Sequence, residues 1–181
     1  IESLLGKAFT NNYGNIAELG GDKKKQFEKY KDLLTSGAME RADAAHGREF
    51  YDRVCAACHA MYGSGGVIGP ELTGSNRANL DYILLNILDP SDDIPENYRM
   101  VTITTQSGQV LVGTITAEDP QRLTLNAVGQ KIVIAKRDIK NRVTSDISMM
   151  PEGLLTTLKD TEVVDLIQYL RTEEQVEAHA H

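Results

Sequence analysis

At 181 residues, 41% of them hydrophobic and 25% charged, the chain can build the core of one ordinary domain, or of a small domain with an elaboration. Its 26 acids against 19 bases give a formal charge of −7, which disfavours nucleic acid and anionic membrane as partners and suits a basic or neutral protein surface. No run approaches the roughly 18 apolar residues of a membrane-spanning helix, and two cysteines only three positions apart exclude a disulfide framework and a four-cysteine zinc site.

Residues 1–40 read as a helical N-terminal extension. The chain begins at Ile1 with no signal-peptide pattern, as a mature product or an excised piece would. Asp22 is placed to cap a helix with apolar positions Phe27, Tyr30, Leu33 and Leu34 that closes near Gly37, and the run Lys23-Lys24-Lys25 reads as a solvated face. A second helix is expected over 42–54. Ala44, Gly47, Tyr51 and Val54 share one stripe of it, while Ala45, Arg48, Glu49 and Asp52 turn to water. Glycine costs helix stability, so Gly47 within the stripe implies a packing reason.

This helix runs into Cys55-Ala56-Ala57-Cys58-His59, the C-x-x-C-H attachment signature of c-type heme. Each thiol adds across one heme vinyl group, and the histidine that follows is placed beneath the iron as its proximal ligand. The competing readings are a dithiol redox pair and a chance match. A redox pair belongs where a strand feeds a helix in βα alternation, and no such alternation surrounds these residues.

The glycine-rich stretch 63–66 leads to Gly69-Pro70-Glu71-Leu72-Thr73-Gly74. Glycines let backbone pass close to a flat macrocycle, and Pro70 can hold the chain against the histidine; read alone, the segment is a turn. A helix over 79–88 is stopped by Asp89-Pro90. From Arg99 the period becomes alternating. Val101, Ile103 and Thr105, then Leu111, Gly113 and Ile115, then Leu123 and Leu125, then Ile132 and Ile134 mark short strands, with turns at Ser107-Gly108, Asp119-Pro120 and Gly129. Residues 99–144 contain no Cys or His, and are expected to cover the heme edge; a docking surface for a partner domain is the sharper alternative.

A heme iron in an electron carrier takes a second axial ligand, commonly Met or His. His179 and His181 sit in a polar tail that reads as frayed, and His46 lies on the solvated side of its helix. Met61 is too near the attachment site to reach the opposite heme face, and Met100 reads as core filler. Met149 and Met150 precede Pro151, and proline restrains the residue before it to an extended conformation, so Met150 is the chosen ligand and Met149 its alternative. The last helix, over 161–171, presents Val163, Val164, Leu166, Ile167 and Leu170, with Asp160 as N-cap and Tyr169 able to lie against the notch of Gly47.

The two helices flanking these blocks resemble the crossed terminal helices of class I cytochromes c, in which a glycine and an aromatic meet and the ligand methionine precedes the final helix. That resemblance implies that the Pro70 carbonyl lies near the Nδ1 proton of His59 and that Leu72 packs the heme face. Residues from about 42 to 171 further resemble a planctomycete-type family of heme-binding domains found at the C-terminal end of large secreted proteins, often after a propeller-shaped dehydrogenase-like domain. The matching blocks are Gly47-Arg48-Glu49-Phe50-Tyr51, Cys55 to His59, Gly65 to Arg77, Ile87-Leu88-Asp89-Pro90-Ser91 and Ser148 to Leu154. This resemblance implies Met150 as ligand, although the family usually carries one methionine there, and it implies an inserted β-sheet.

The fold expected is therefore mainly α: a class I cytochrome c-like helical heme domain made of 41–98 and 145–175, with 99–144 inserted as a small antiparallel sheet, a meander or partial barrel. The function expected is single-electron transfer by one covalent heme c with His59 and Met150 as axial ligands. The redox partners would be a dehydrogenase donor, fused or associated, and a terminal acceptor. No acid–base pair or nucleophile constellation marks an enzyme. Covalent heme attachment takes place outside the cytoplasm, so the expected location is periplasmic or otherwise exported. The alternatives are a heme-based gas or redox sensor in which Met150 is labile, and a catalytic heme with an open sixth position.

Overall fold

The structure, a computed structural model, describes residues 16, 19–127 and 130–179. Four α-helices and a five-stranded sheet make up its main elements among these residues. The first helix, α1 (Gly21–Thr35), starts after Gly20, so Asp22 lies in its first turn instead of capping it. Phe27, Tyr30 and Leu34 are buried, and they belong to the same core as the later helices. Lys23 departs from the solvated face expected of it by pairing with Asp89 and Glu152.

Helix α2 (Ala44–Val54) begins at Asp43, whose carboxylate accepts from the backbone N–H groups of Ala45 and His46. Helix α3 (Leu80–Leu88) is capped by Asn79, which accepts from the N–H of Tyr82. Helix α4 (Asp160–Leu170) has Lys159 as its N-cap; Asp160 is its first residue, and the Glu162 carboxylate accepts from the Lys159 N–H at 2.8 Å. The crossing of α2 and α4 is unusually close. A Cβ on Gly47 would sit 1.9 Å from the carbonyl oxygen of Asp165 and 2.9 Å from the Tyr169 Cβ. Tyr51 and Tyr169 pack beside it with their rings tilted at 57° and centroids 5.3 Å apart.

Between α2 and α3, β1 (Ala60–Met61) and β2 (Ser64–Gly65) form a two-stranded hairpin that periodicity is too short to reveal. Tyr62 turns it in the left-handed region (φ 53), with Gly63 following at φ 79.

The alternating segments form β3 (Val101–Thr105), β4 (Val110–Glu118), β5 (Arg122–Ala127) and β6 (Gln130–Ala135). After a 3-10 turn, β7 (Ile139–Thr144) returns to pair with β3, giving the order β6-β5-β4-β3-β7. The turn expected at Gly129 lies outside the described residues. Long β4 pairs with β3 through its first half and β5 through its second, with a bulge between Ile115 and Ala117. Ile134 of β6 and Ile139 of β7, at opposite ends of the order, pack in one core with Val101, Ile103, Leu123 and Leu125. The sheet therefore curls around a hydrophobic core of its own.

That core overturns the expectation of a mainly α fold. With 38% of the described residues helical and 22% in strands, this is a mixed α and β structure with an antiparallel sheet beside four helices, not a mainly α class I cytochrome fold. The physical reason is that the alternating residues bury their apolar faces against each other instead of lying as a thin cover on the helices.

The tail is also tied down. His179 Nε2 lies 2.9 Å from the Asp43 carboxylate, and Arg48 donates to the Val176 carbonyl, so the fraying expected of His179 is not found; His181 lies outside the described residues. The tight crossing makes a direct test. Gly47→Ala is expected to cost about 1–3 kcal/mol or more in urea unfolding, whereas Gly74→Ala, with open space around it, should change stability by less than about 0.5 kcal/mol. Equal, small losses would show that the two helices can separate freely.

Candidate functional site

The C-x-x-C-H run continues α2 as a turn. The Cys55 N–H donates to the Tyr51 carbonyl, and the N–H groups of Cys58 and His59 both donate to the Cys55 carbonyl. Tyr51 anchors the turn from inside, its buried hydroxyl donating to the His59 carbonyl at 2.8 Å. Burial pushes the Tyr51 hydroxyl well above its ordinary pKa, so it remains a donor.

The loop after the hairpin folds back on this turn. Gly66 donates to the Ala56 carbonyl, and Ile68 and Gly69 both donate to that of Cys58. Gly69 then lies against the imidazole of His59, where a Cβ would come within 2.5 Å of Cε1. The next residue supplies the ring's partner: His59 Nδ1 is 2.8 Å from the Pro70 carbonyl oxygen. A carbonyl only accepts, so Nδ1 carries the proton and Nε2 is left with the lone pair. An imidazole oriented in this way is prepared to bind a metal. The β-sheet reaches the same loop, since buried Asn126 donates to the Val67 carbonyl at 2.9 Å.

Cys55, Cys58, His59, Pro70, Leu72 and Met150 all line one largely apolar pocket, together with Met149 and Pro151. The two methionines come from the segment before α4, far along the chain from the cysteines. The Ser148 N–H donates to Ser91 Oγ and the Met150 N–H to Ser148 Oγ, which fastens this segment to the end of α3. Met149 and Met150 both line the pocket. Met61 is instead fully buried in the helical core, and Met100 and His46 are not pocket residues. His46 is partly exposed, with Nδ1 2.8 Å from the Asp165 carboxylate.

Sequence reasoning missed a whole wall of this pocket, made by Tyr82, Ile83 and Ile87 of α3 with Ile94, Pro95 and Tyr98 after it. The apolar face of α3 was legible, but not what it would face. Arg77 was missed too. It lines the pocket and donates to the carbonyls of Leu170, Thr172 and Thr73, yet its Nε is buried without a hydrogen-bond partner among the described residues. Its place just after the glycine-rich stretches 63–66 and 69–74, at the end of the block Gly65 to Arg77, was the available signal.

A flat apolar ring with acidic arms fits these features. The glycine-lined approach to His59 and the apolar lining suit the ring, and the unpartnered Arg77 donor suits an acid. Covalent attachment would employ Cys55 and Cys58. A dithiol redox pair fits less well. Cys55 caps the C-terminal end of α2, whereas reactive thiols are activated at helix N-termini, and burial with the neighbouring Cys58 pushes its thiol up to about 12. In the folded, heme-free chain Cys55 is thus expected to resist iodoacetamide at pH 8 and to react freely once urea unfolds it. Rapid alkylation of folded Cys55 at pH 8, read by peptide mass, would restore the redox-pair reading.

Comparison with known proteins agrees with this chemistry. Residues 42–98 match the family described as cytochrome C oxidase, cbb3-type, subunit III. No curated protein matches the chain. The matched segment contains α2, the C-x-x-C-H turn, Pro70, Leu72 and α3, and it stops before the sheet. The match covers less than half of the chain; over those residues it supports a c-type cytochrome domain, and a domain of this family suggests covalent heme c, redox partners and electron transfer.

Proposed function

We propose that the chain is a monoheme electron carrier, or the electron-carrying part of a larger protein. In this reading Cys55 and Cys58 form the thioether bonds, and His59 and Met150 supply the axial ligands. The observation that carries it is the Nδ1 contact of His59 with the Pro70 carbonyl, inside a pocket lined by both cysteines and by the Met149-Met150 segment.

Each residue has a physical task. Pro70 holds the proton on Nδ1 and orients the ring, which keeps Nε2 available and makes the imidazole a better donor. Leu72 and the α3 wall would shield a bound heme from water, and Arg77 would offer its unpartnered N–H to an acidic arm. Heme supplies one-electron chemistry by cycling its iron between ferrous and ferric states. A soft thioether and an apolar surround favour the ferrous state, so the potential should lie above that of a bis-histidine site.

Met150 is preferred to Met149 because it immediately precedes Pro151, whose ring restricts the backbone that carries the thioether. Two cysteines allow one heme of this kind. The division into a heme domain of 41–98 and 145–175, with 1–40 as extension and 99–144 as insertion, belongs to this reading. So do the likeness to the planctomycete-type domains, a dehydrogenase as donor, a separate acceptor, and a periplasmic or exported location.

Absorption spectra of the ferric and ferrous protein test the ligand pair. The weak near-infrared charge-transfer band of ferric His/Met ligation is expected in the unmodified protein and in Met149→Ala, and its loss in Met150→Ala. Loss in Met149→Ala alone would transfer the role to Met149. Absence of the band from the unmodified protein, with ready carbon monoxide binding by the ferrous form, would favour the sensor reading.

A further inference from the structure

The segment bearing the two methionines is fastened from a second direction by the N-terminal helix. Lys23, in the first turn of α1, donates to Asp89 Oδ1 at 2.6 Å and to Glu152 Oε1 at 2.7 Å. Asp89 is the C-terminal cap of α3, the helix that walls the pocket. Glu152 follows Pro151 and stands two residues beyond Met150. One ammonium group therefore joins α1, the end of α3 and the methionine segment.

The geometry differs from that of an ordinary surface pair. The Lys23 side chain is 28% exposed, that of Asp89 19% and that of Glu152 55%, so what sets the contact apart is a half-buried single donor that bridges two carboxylates from distant parts of the chain. The same helix also carries a plainer pair, Lys29 with Asp160 at 2.8 Å, whose side chains are 53% and 55% exposed. That pair reaches the start of α4 and does not involve residues 148–152.

We propose that Lys23 is a positioning residue that latches the 148–152 segment over the pocket and so keeps the methionine thioether in place. The proposal rests on reading Met150, or its neighbour Met149, as the axial ligand. On its other side the segment is held by the Ser148 N–H bond to Ser91 Oγ, and Ser91 lies two residues beyond Asp89. Lys23 and Ser91 thus fasten the segment to one corner of the fold from either side of the methionines. A loop pinned by few contacts opens locally without global unfolding. Removing the ammonium would therefore act first on how often the thioether leaves its position, and only weakly on overall stability.

The test uses the heme-loaded full chain in its ferric form, with imidazole as a competing ligand followed by stopped-flow absorption. Lys23→Ala and Glu152→Gln are each expected to bind imidazole about three- to ten-fold faster than the unmodified protein. The double variant should be no faster than Lys23→Ala, and Lys29→Ala should be unchanged. Imidazole rates in Lys23→Ala that match those of Lys29→Ala would overturn the latch. Absence of the charge-transfer band in the unmodified protein would instead overturn the ligand reading, and the latch with it.

Discussion

At Gly47 the backbone of α2 lies so close to α4 that the hydrogen in place of a side chain is what allows the two helices to cross. The rest of the helical half is organised around this approach. Asp165 of α4 accepts from the Asp43 N–H at the start of α2 with one carboxylate oxygen and faces His46 with the other. One turn beyond Gly47, Tyr51 is buried beside Tyr169. The Tyr51 hydroxyl then fixes the His59 carbonyl, so the spacing of two helices is transmitted to the C-x-x-C-H turn through a single phenol.

From that turn outward the site is built by backbone. Three N–H groups from residues 66–69 return to the carbonyls of Ala56 and Cys58, and this brings the Pro70 carbonyl to His59 Nδ1. Main-chain hydrogen bonds place the Pro70 carbonyl, and its contact with Nδ1 orients the imidazole and sets its tautomer. The pocket behind it is largely apolar, and Arg77 and Asp93 are its charged members. The Arg77 guanidinium is held by three carbonyls and by the hydroxyl of Tyr62, itself in a left-handed conformation that non-glycine residues seldom adopt. The hairpin turn at Tyr62 thereby helps to hold Arg77 at the pocket wall.

The remaining parts of the chain bear on this site from outside. The sheet has its own core and contacts the 63–69 loop through the Asn126 amide, so the strands are mechanically connected to the segment that holds His59. Helix α1 contributes Phe27, Tyr30 and Leu34 to the helical core and reaches the methionine segment through the pairing of Lys23 with Glu152. Each of the two elements absent from the simplest heme-domain plan thus bonds to a segment that also supplies pocket residues.

The sequence by itself determined the motif and the local elements. C-x-x-C-H carries the spacing used for thioether attachment of heme, and the helices of 44–54, 80–88 and 160–170 and four of the five sheet strands follow from periodicity within short windows. Only the tertiary structure decided the balance of the fold, the return of β7 to β3, and the α3 wall of the pocket. Periodicity says that a face is apolar but not which other face will cover it, so a curled sheet with its own core and a thin covering sheet read alike. The same limit applies to charge. Lys23 in a run of three lysines is indistinguishable from its neighbours until residues 66 and 129 positions away along the chain are folded against it.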